Sequence, residues 1–220
     1  MRSNNICKNK KVIMNINLYK ITKKYSENLI FKKFSYKFYD KKSYIITGSN
    51  GSGKSTLMKI ISGYLSPNSG IIEYIDNSNN NKAISKEFFF KYNAIAAPYV
   101  EIIEEFTLKE FLKFHFNFKK DNSNLSINNM INFLELKKES NVQIKNFSSG
   151  IKQKIKIGLV FLANSPVILL DEPTSNMDKK NINWYIENIK KIINKKLIIM
   201  FSNQPNEYIF FKKKEIIKLN

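Results

Sequence analysis

Residues 13–19 read Ile-Met-Asn-Ile-Asn-Leu-Tyr, with polar and apolar positions partly alternating, the pattern of a half-exposed strand. Residues 29–38 carry a similar pattern, and Asp40, Lys41 and Lys42 make a polar turn after it. Residues 43–47 form a short β-rich run that stops at Gly48. The spacing then changes. Leu57, Ile60, Ile61 and Tyr64 recur at helical intervals and predict a helix over 55–64, closed by the Ser-Pro-Asn-Ser-Gly run of 66–70.

An Asn-rich polar stretch at 76–82 predicts a loop, and residues 107–138 are largely helical. Thr107 and Glu110 have the Thr-x-x-Glu spacing of a capping box. A second amphipathic helix spans 127–136 after the polar break at 121–126, and another follows Gly150 until Asn164, Ser165 and Pro166 interrupt it. Residues 167–170 and 197–201 are apolar without alternation, as in parallel strands buried on both faces, and a helix over 181–193 separates them. Strand and helix alternate on both sides of a helical middle. That is an α/β fold with an inserted helical lobe.

Length and composition narrow the class. A chain of 220 residues holds one substantial domain, or a core with a smaller lobe. At 43% hydrophobic and 13% aromatic it is no disordered chain, and with Cys7 as the sole cysteine it forms no internal disulfide. A lone thiol fits a reducing compartment. The most apolar stretch, 157–170, is broken by Asn164, Ser165 and Pro166 and is too short to cross a bilayer. The first twenty residues lack the continuous apolar segment of a secretory signal, so a cytoplasmic protein is expected. The net charge of +19 invites a polyanion. Yet only Arg2 among the 37 basic residues is an arginine, whereas sequence-specific nucleic-acid readers rely on arginine forks. No specific nucleic acid is expected; the lysines read as a solvated surface.

The strongest chemical signal is Gly48-Ser49-Asn50-Gly51-Ser52-Gly53-Lys54-Ser55-Thr56, which contains GxxxxGK[ST] between a predicted strand and a predicted helix. Glycines let successive backbone N–H groups curl toward phosphate oxygens, and the helix N-terminus adds a favourable dipole. Lys54 would reach the β- and γ-phosphates of a bound nucleotide, and the Ser55 hydroxyl would ligate Mg²⁺. Three of the chain's 7 glycines lie in this one loop. Downstream, the apolar run 167–170 ends in Asp171 and Glu172, beyond a strand's carboxyl end where open α/β sheets bind ligands. Asp171 suits a direct or indirect Mg²⁺ partner, and Glu172 could deprotonate the water that attacks the γ-phosphate.

With these residues in place, Asp171-Glu-Pro-Thr-Ser-Asn-Met-Asp178 resembles the DEPT…LD run of ATP-binding cassette (ABC) proteins, and Asn146-Phe-Ser-Ser-Gly-Ile-Lys-Gln-Lys154 resembles their LSGGQ signature. The resemblance implies a P-loop NTPase with a RecA-like, mostly parallel core sheet, an antiparallel β portion and an inserted helical lobe. The core would take residues 1–98 and 155–220, and the lobe 99–154. It further implies a head-to-tail homodimer, or pairing with a related cassette, in which Ser148, Ser149 and Gly150 face nucleotide bound to the other subunit. Asp178 would join the two sites, and Tyr25 would stack on adenine.

The sequence also departs from the family. Phe147, Ser149 and Ile151 replace the signature's Leu, first Gly and Gln; Asn203 stands at the switch histidine, and Tyr99 at the Q-loop glutamine. The chain's only histidine, His115, lies in the helical lobe. These changes imply ATP hydrolysis that depends on Glu172 and is slow for the family, with Lys54 and Asn203 as the other catalytic candidates. The implied role is the ATPase subunit of an exporter-type transporter, peripheral on the inner membrane face beneath a separate integral membrane permease. Glu101, Glu104 and Glu105 fall where such subunits grip a loop of that partner. The alternative is a soluble ABC ATPase for cofactor or complex assembly.

Overall fold

A computed structural model describes residues 12–118 and 125–219. Cys7, Arg2, most of the N-terminal stretch read for a signal and most of the 121–126 break lie outside the described residues. The chain begins with β1 (Met14–Tyr25), β2 (Asn28–Phe38), β3 (Ser43–Thr47), α1 (Lys54–Ile61), β4 (Ser69–Asp76), β5 (Lys82–Ile84), α2 (Lys86–Phe89) and β6 (Asn93–Ala96). Next come α3 (Leu108–Phe118), α4 (Ile127–Leu134), α5 (Ser149–Leu162), β7 (Val167–Asp171), α6 (Lys179–Ile192), β8 (Leu197–Phe201) and β9 (Lys214–Lys218). The described strands form an antiparallel sheet, β2-β1-β4-β5, and a parallel sheet, β6-β7-β8-β3-β9.

The non-alternating apolar strands are explained by what covers the parallel sheet. Ile45, Ile168, Leu170, Ile198 and Met200 point into one core, shared with α3–α6. Tyr44, Ile46, Leu169, Ile199 and Phe201 point into the other, shared with the antiparallel sheet and α1. Successive residues change core because strand side chains alternate faces. Each such side chain contributes about 1.5–3 kcal/mol by burial, so a charge placed at Leu169 would break the sheet's packing.

Helix limits follow local chemistry. Thr107 N–H and Oγ1 both donate to Glu110 Oε2 (2.9 and 2.8 Å), and Glu110 N–H donates back to Thr107 Oγ1 (3.3 Å), completing the expected capping box. The helix expected over 127–136 stops at Leu134 because Glu135 turns left-handed (φ 57°). The one expected over 55–64 stops at Ile61, before Gly63 at φ 81°. The first strand runs beyond the expected 13–19 to Tyr25, with Lys20 at φ 50° where its pairing register shifts. That irregularity breaks the alternation which had marked the strand. No strand was expected at β4, β5, β6 or β9; β4 begins inside the Ser-Pro-Asn-Ser-Gly breaker, at Ser69, and β5 and β6 are only 3 and 4 residues long.

Candidate nucleotide site

The phosphate loop leaves the carboxyl end of β3 and turns into α1 at Gly53, which caps the helix with φ 92°. A side chain there fails twice. The backbone is left-handed, and a Cβ would lie 2.4 Å from Ile30 Cγ2 and 2.7 Å from Phe31 Cζ. Lys54 is buried, its Nζ donating to the carbonyls of Gly48 (2.6 Å) and Ser49 (3.1 Å). Ser55 Oγ donates to Asp171 Oδ2 at 2.9 Å, which ties the loop to the end of β7.

Asn50, Gly51, Gly53, Lys54, Ser55 and Thr56 line one cleft of about 340 Å³ together with Asp171, Glu172, Ile30 and Pro98. Ser49 bounds the loop through its carbonyl, and Ser52 is buried behind it, with its N–H donating to Ser49 O (3.1 Å). Burial pushes the Asp171 carboxyl above its ordinary range, with Ser55's hydrogen bond opposing and the neighbouring Glu172 adding to the shift. A buried carboxylate paired with a hydroxyl is a hard-oxygen donor set of the kind Mg²⁺ takes in nucleotide sites, where phosphates and water supply the remaining ligands. The described residues hold no cluster of three His, Cys, Asp or Glu, as a protein-only metal cage would need.

Glu172 follows with φ 43°, left-handed and unfavourable for a residue with a Cβ. Its N–H donates to Phe201 O (2.9 Å), continuing the β7–β8 ladder by one rung, and its Oε2 is met by Ser175 Oγ at 3.4 Å. The turn therefore swings this half-exposed side chain into the cleft wall beside Asp171.

Comparison with known proteins decides the family. The family model described as ABC transporter matches residues 31–175. The chain belongs to the ABC transporter family. It is an ATP-binding, ATP-hydrolysing subunit of that family. It is 30% identical over 167 residues to the uncharacterized ABC transporter ATP-binding protein YybJ of Bacillus subtilis (strain 168), covering 76% of this chain and 75% of that one. It is 33% identical over 182 residues to a tyrosine transport ATP-binding protein of Clostridioides difficile (strain R20291), covering 78% and 72%. Its fold matches the dimeric post-hydrolysis structure of the ATP-binding cassette MJ0796 bound to ADP and Pi, with a TM-score of 0.76, 23% identity, and 93% and 94% coverage.

The remaining ABC positions are spread over the molecule. Ser148 caps α5, accepting from Ile151 N–H (3.3 Å), and both Ser148 and Ser149 are exposed. Gly150 is buried where a Cβ would come 2.4 Å from Asn176 O, so the glycine lets α5 pack on the turn that follows Glu172. Asp178 is exposed and caps α6 through Asn181 N–H (2.8 Å). Neither the signature serines nor Asp178 lines the cleft. Tyr25, 48% exposed, lies outside the cleft lining too, with Lys23 Nζ 5.0 Å from its ring centre. His115 packs between Phe111 and Phe116 on α3, away from the cleft.

Asn203 exchanges two hydrogen bonds with Gly48. Tyr99 lies under Lys59, whose Nζ is 4.3 Å from the ring centre; its buried hydroxyl has no hydrogen-bond partner, and burial, followed by the Asp171 charge, pushes its pKa up. Glu104 is engaged within the chain, by Lys152 Nζ at 2.6 Å, while Glu101 and Glu105 are exposed.

Sequence reasoning missed two polar ties behind the site. Gln153 Nε2 donates to Pro173 O (3.1 Å), and Glu207 Oε1 accepts from Thr174 N–H (2.8 Å) and Thr174 Oγ1 (2.6 Å). Glu207 lies 33 residues from its partner, in a polar segment after β8 that no local pattern marks.

Proposed function

We propose that this ABC subunit hydrolyses Mg·ATP in the cleft described and powers a transporter whose membrane span belongs to a separate permease. The observation that carries the reading is the Ser55–Asp171 bond, which brings the phosphate loop and the β7 carboxylates into one cleft. Ser55 and Asp171 would hold Mg²⁺, which would offset phosphate charge. Glu172 is the general base, left-handed and only loosely held by Ser175, with freedom to orient a water. Lys54 has to exchange two loop carbonyls for phosphate oxygens. Tyr25 would meet adenine, while Ser148, Ser149, Gly150 and Asp178 would serve a head-to-tail dimer, which fits the exposure of all but Gly150.

A groove of about 640 Å³ adjoins the cleft and shares Pro98 with it; Glu101, Ile102, Ile103 and Glu105 contribute to its lining. Lys152, paired with Glu104, and Lys156 line it too, so Glu101 and Glu105 leave a small acidic excess around Ile102 and Ile103 that would suit a basic, amphipathic loop of the permease, with Pro98 common to groove and cleft. We assign the core to 1–98 and 155–220 and the lobe to 99–154, with the subunit peripheral on the inner, cytoplasmic membrane face. No helix among the described residues is long and apolar enough to cross a membrane. The exporter direction rests on the compact cassette's resemblance to exporter-type subunits.

The test is to express tagged Glu172→Gln in its native cells, add ATP, solubilise gently and identify what co-purifies. A polytopic membrane protein is expected. A soluble complex, with the chain absent from the membrane fraction, would instead establish an assembly ATPase.

A further inference from the structure

The first residue of the phosphate loop is held from an unexpected direction. Asn203 Oδ1 accepts from Gly48 N–H at 3.0 Å, and Asn203 Nδ2 donates to Gly48 O at 2.7 Å. Both the N–H and the C=O of Gly48 (φ 158°) face the Asn203 carboxamide, as in a residue that exchanges both bonds with a neighbouring strand. The carboxamide supplies the matching acceptor and donor side by side.

This contact continues a ladder. β3 pairs with β8 up to Ile46 and Phe201, and Ser202 N–H donates to Ile46 O (3.1 Å). The Asn203 side chain adds the next rung, past the point where β3 has ended. On β3's other side, Leu219 N–H donates to Thr47 O (2.8 Å). Gly48 O therefore accepts from both Asn203 Nδ2 and Lys54 Nζ. When Lys54 turns to phosphate, Asn203 is the side chain that still holds Gly48.

We propose that Asn203 is a positioning residue of the phosphate loop, whose two hydrogen bonds to Gly48 keep the loop shaped for phosphate whether or not a γ-phosphate is present. The inference rests on the nucleotide reading above. Held this way, Asn203 acts through Gly48 rather than on the nucleotide. A histidine cannot copy it, because the two ring nitrogens diverge and do not present a donor beside an acceptor. An aspartate keeps the shape and the acceptor but sets an oxygen against Gly48 O.

The experiment compares wild type, Asn203→Asp, Asn203→His and Asn203→Ala for equilibrium binding of MgADP, and of MgATP in the Glu172→Gln background. A positioning role weakens both nucleotides by the same factor, about five- to tenfold, since a loop that is only part-formed lowers apparent affinity by its populated fraction. Amide exchange at Gly48, followed without nucleotide, is expected to accelerate in Asn203→Ala and to stay slower in Asn203→Asp. Asn203→Asp is near-isosteric and carries the test should Asn203→Ala not fold. ADP affinity unchanged in the variants, whether ATP binding or turnover falls or not, would overturn the proposal. A wild-type protein that binds neither nucleotide would remove the nucleotide reading itself, and this inference with it.

Discussion

Glu172 and Glu207 flank the same short turn, Pro173-Thr174-Ser175, yet their surroundings differ in nearly every respect. Glu172 is half-exposed, sits on a left-handed residue and is met only by a long contact from Ser175. Glu207 has no solvent exposure, and one of its oxygens takes two short bonds from Thr174. Its other oxygen is buried without a hydrogen bond of good geometry, although the hydroxyl of Ser202 lies beside it. Of two identical side chains that meet one turn, one has the access and freedom that proton transfer needs, and the other is built into the frame. Carboxylate chemistry here is allotted by burial and hydrogen bonding, not by residue type.

The comparison breaks most visibly at Glu172. Replacing it with Gln is expected to slow ATP hydrolysis about a hundredfold or more, the usual share of a general base, while MgATP still binds. Steady-state phosphate release and equilibrium nucleotide binding measure the two halves. Unchanged phosphate release would mean that Glu172 is not the base.

Glu207 should respond in the opposite sense. Glu207→Ala leaves the buried Thr174 N–H and hydroxyl without an acceptor, and is expected to cost about 2–3 kcal/mol of folding stability. Urea unfolding without nucleotide reads this directly. A loss below about 0.5 kcal/mol would show that solvent readily replaces the carboxylate, contrary to its burial.

The two acids also differ in how legible they were. Asp171 and Glu172 follow directly on the apolar residues of β7 and can be found by pattern alone, as can GxxxxGK[ST]. The Thr107–Glu110 box was equally local and formed as read. Glu207, Gln153 and the Asn203–Gly48 contact were not legible, because each joins residues far apart in the chain through polar side chains that carry no periodicity. Among the strands, β7 and β8 announced themselves by burial on both faces. β6 and β9 did not, since an edge strand of 4 or 5 residues shows too little pattern to stand out from a loop. The sheet's centre is thus written in local pattern, while its edges and its polar fastenings arise only from the folded arrangement.

A subtler probe is pH. Burial holds the Glu207 carboxyl above its ordinary value of 4.5, with the hydroxyl of Ser202 and then Thr174's hydrogen bonds opposing and the Glu172 charge adding to the rise. Tyr185, whose hydroxyl reaches the Glu207 carbonyl at 3.4 Å, is pushed up by burial and does not ionise in this window. With a raised folded-state pKa, the native protein binds the proton more tightly than the unfolded chain. Stability from this group is complete below about pH 4.5 and declines as pH rises through the folded value. Glu207→Gln keeps an acceptor for Thr174 and removes the titration. Its stability relative to wild type should therefore climb from about pH 4.5 upward and then level off. Asp171 is raised in part by the Glu207 charge, so Glu207→Gln also relieves Asp171 and adds a change of the same sign to the difference. A difference that is flat with pH would place Glu207 among ordinary solvated carboxylates.

The smallest effect is expected at Tyr99, another group pushed up by burial, with the Asp171 charge adding to the rise. Its hydroxyl is buried with no partner, whereas the ring is held by Lys59 at 4.3 Å. Tyr99→Phe removes the unsatisfied hydroxyl and keeps the ring and its cation, so stability should be unchanged or higher by up to about 1 kcal/mol. If thermal unfolding shows Tyr99→Phe to be destabilised instead, the hydroxyl has a bridging partner in solution. Tyr99 would then belong with Glu207, as part of the frame. A neutral or stabilising result would show that the hydroxyl adds nothing to the frame of the resting protein, and that the ring and its Lys59 contact carry Tyr99's share of the packing.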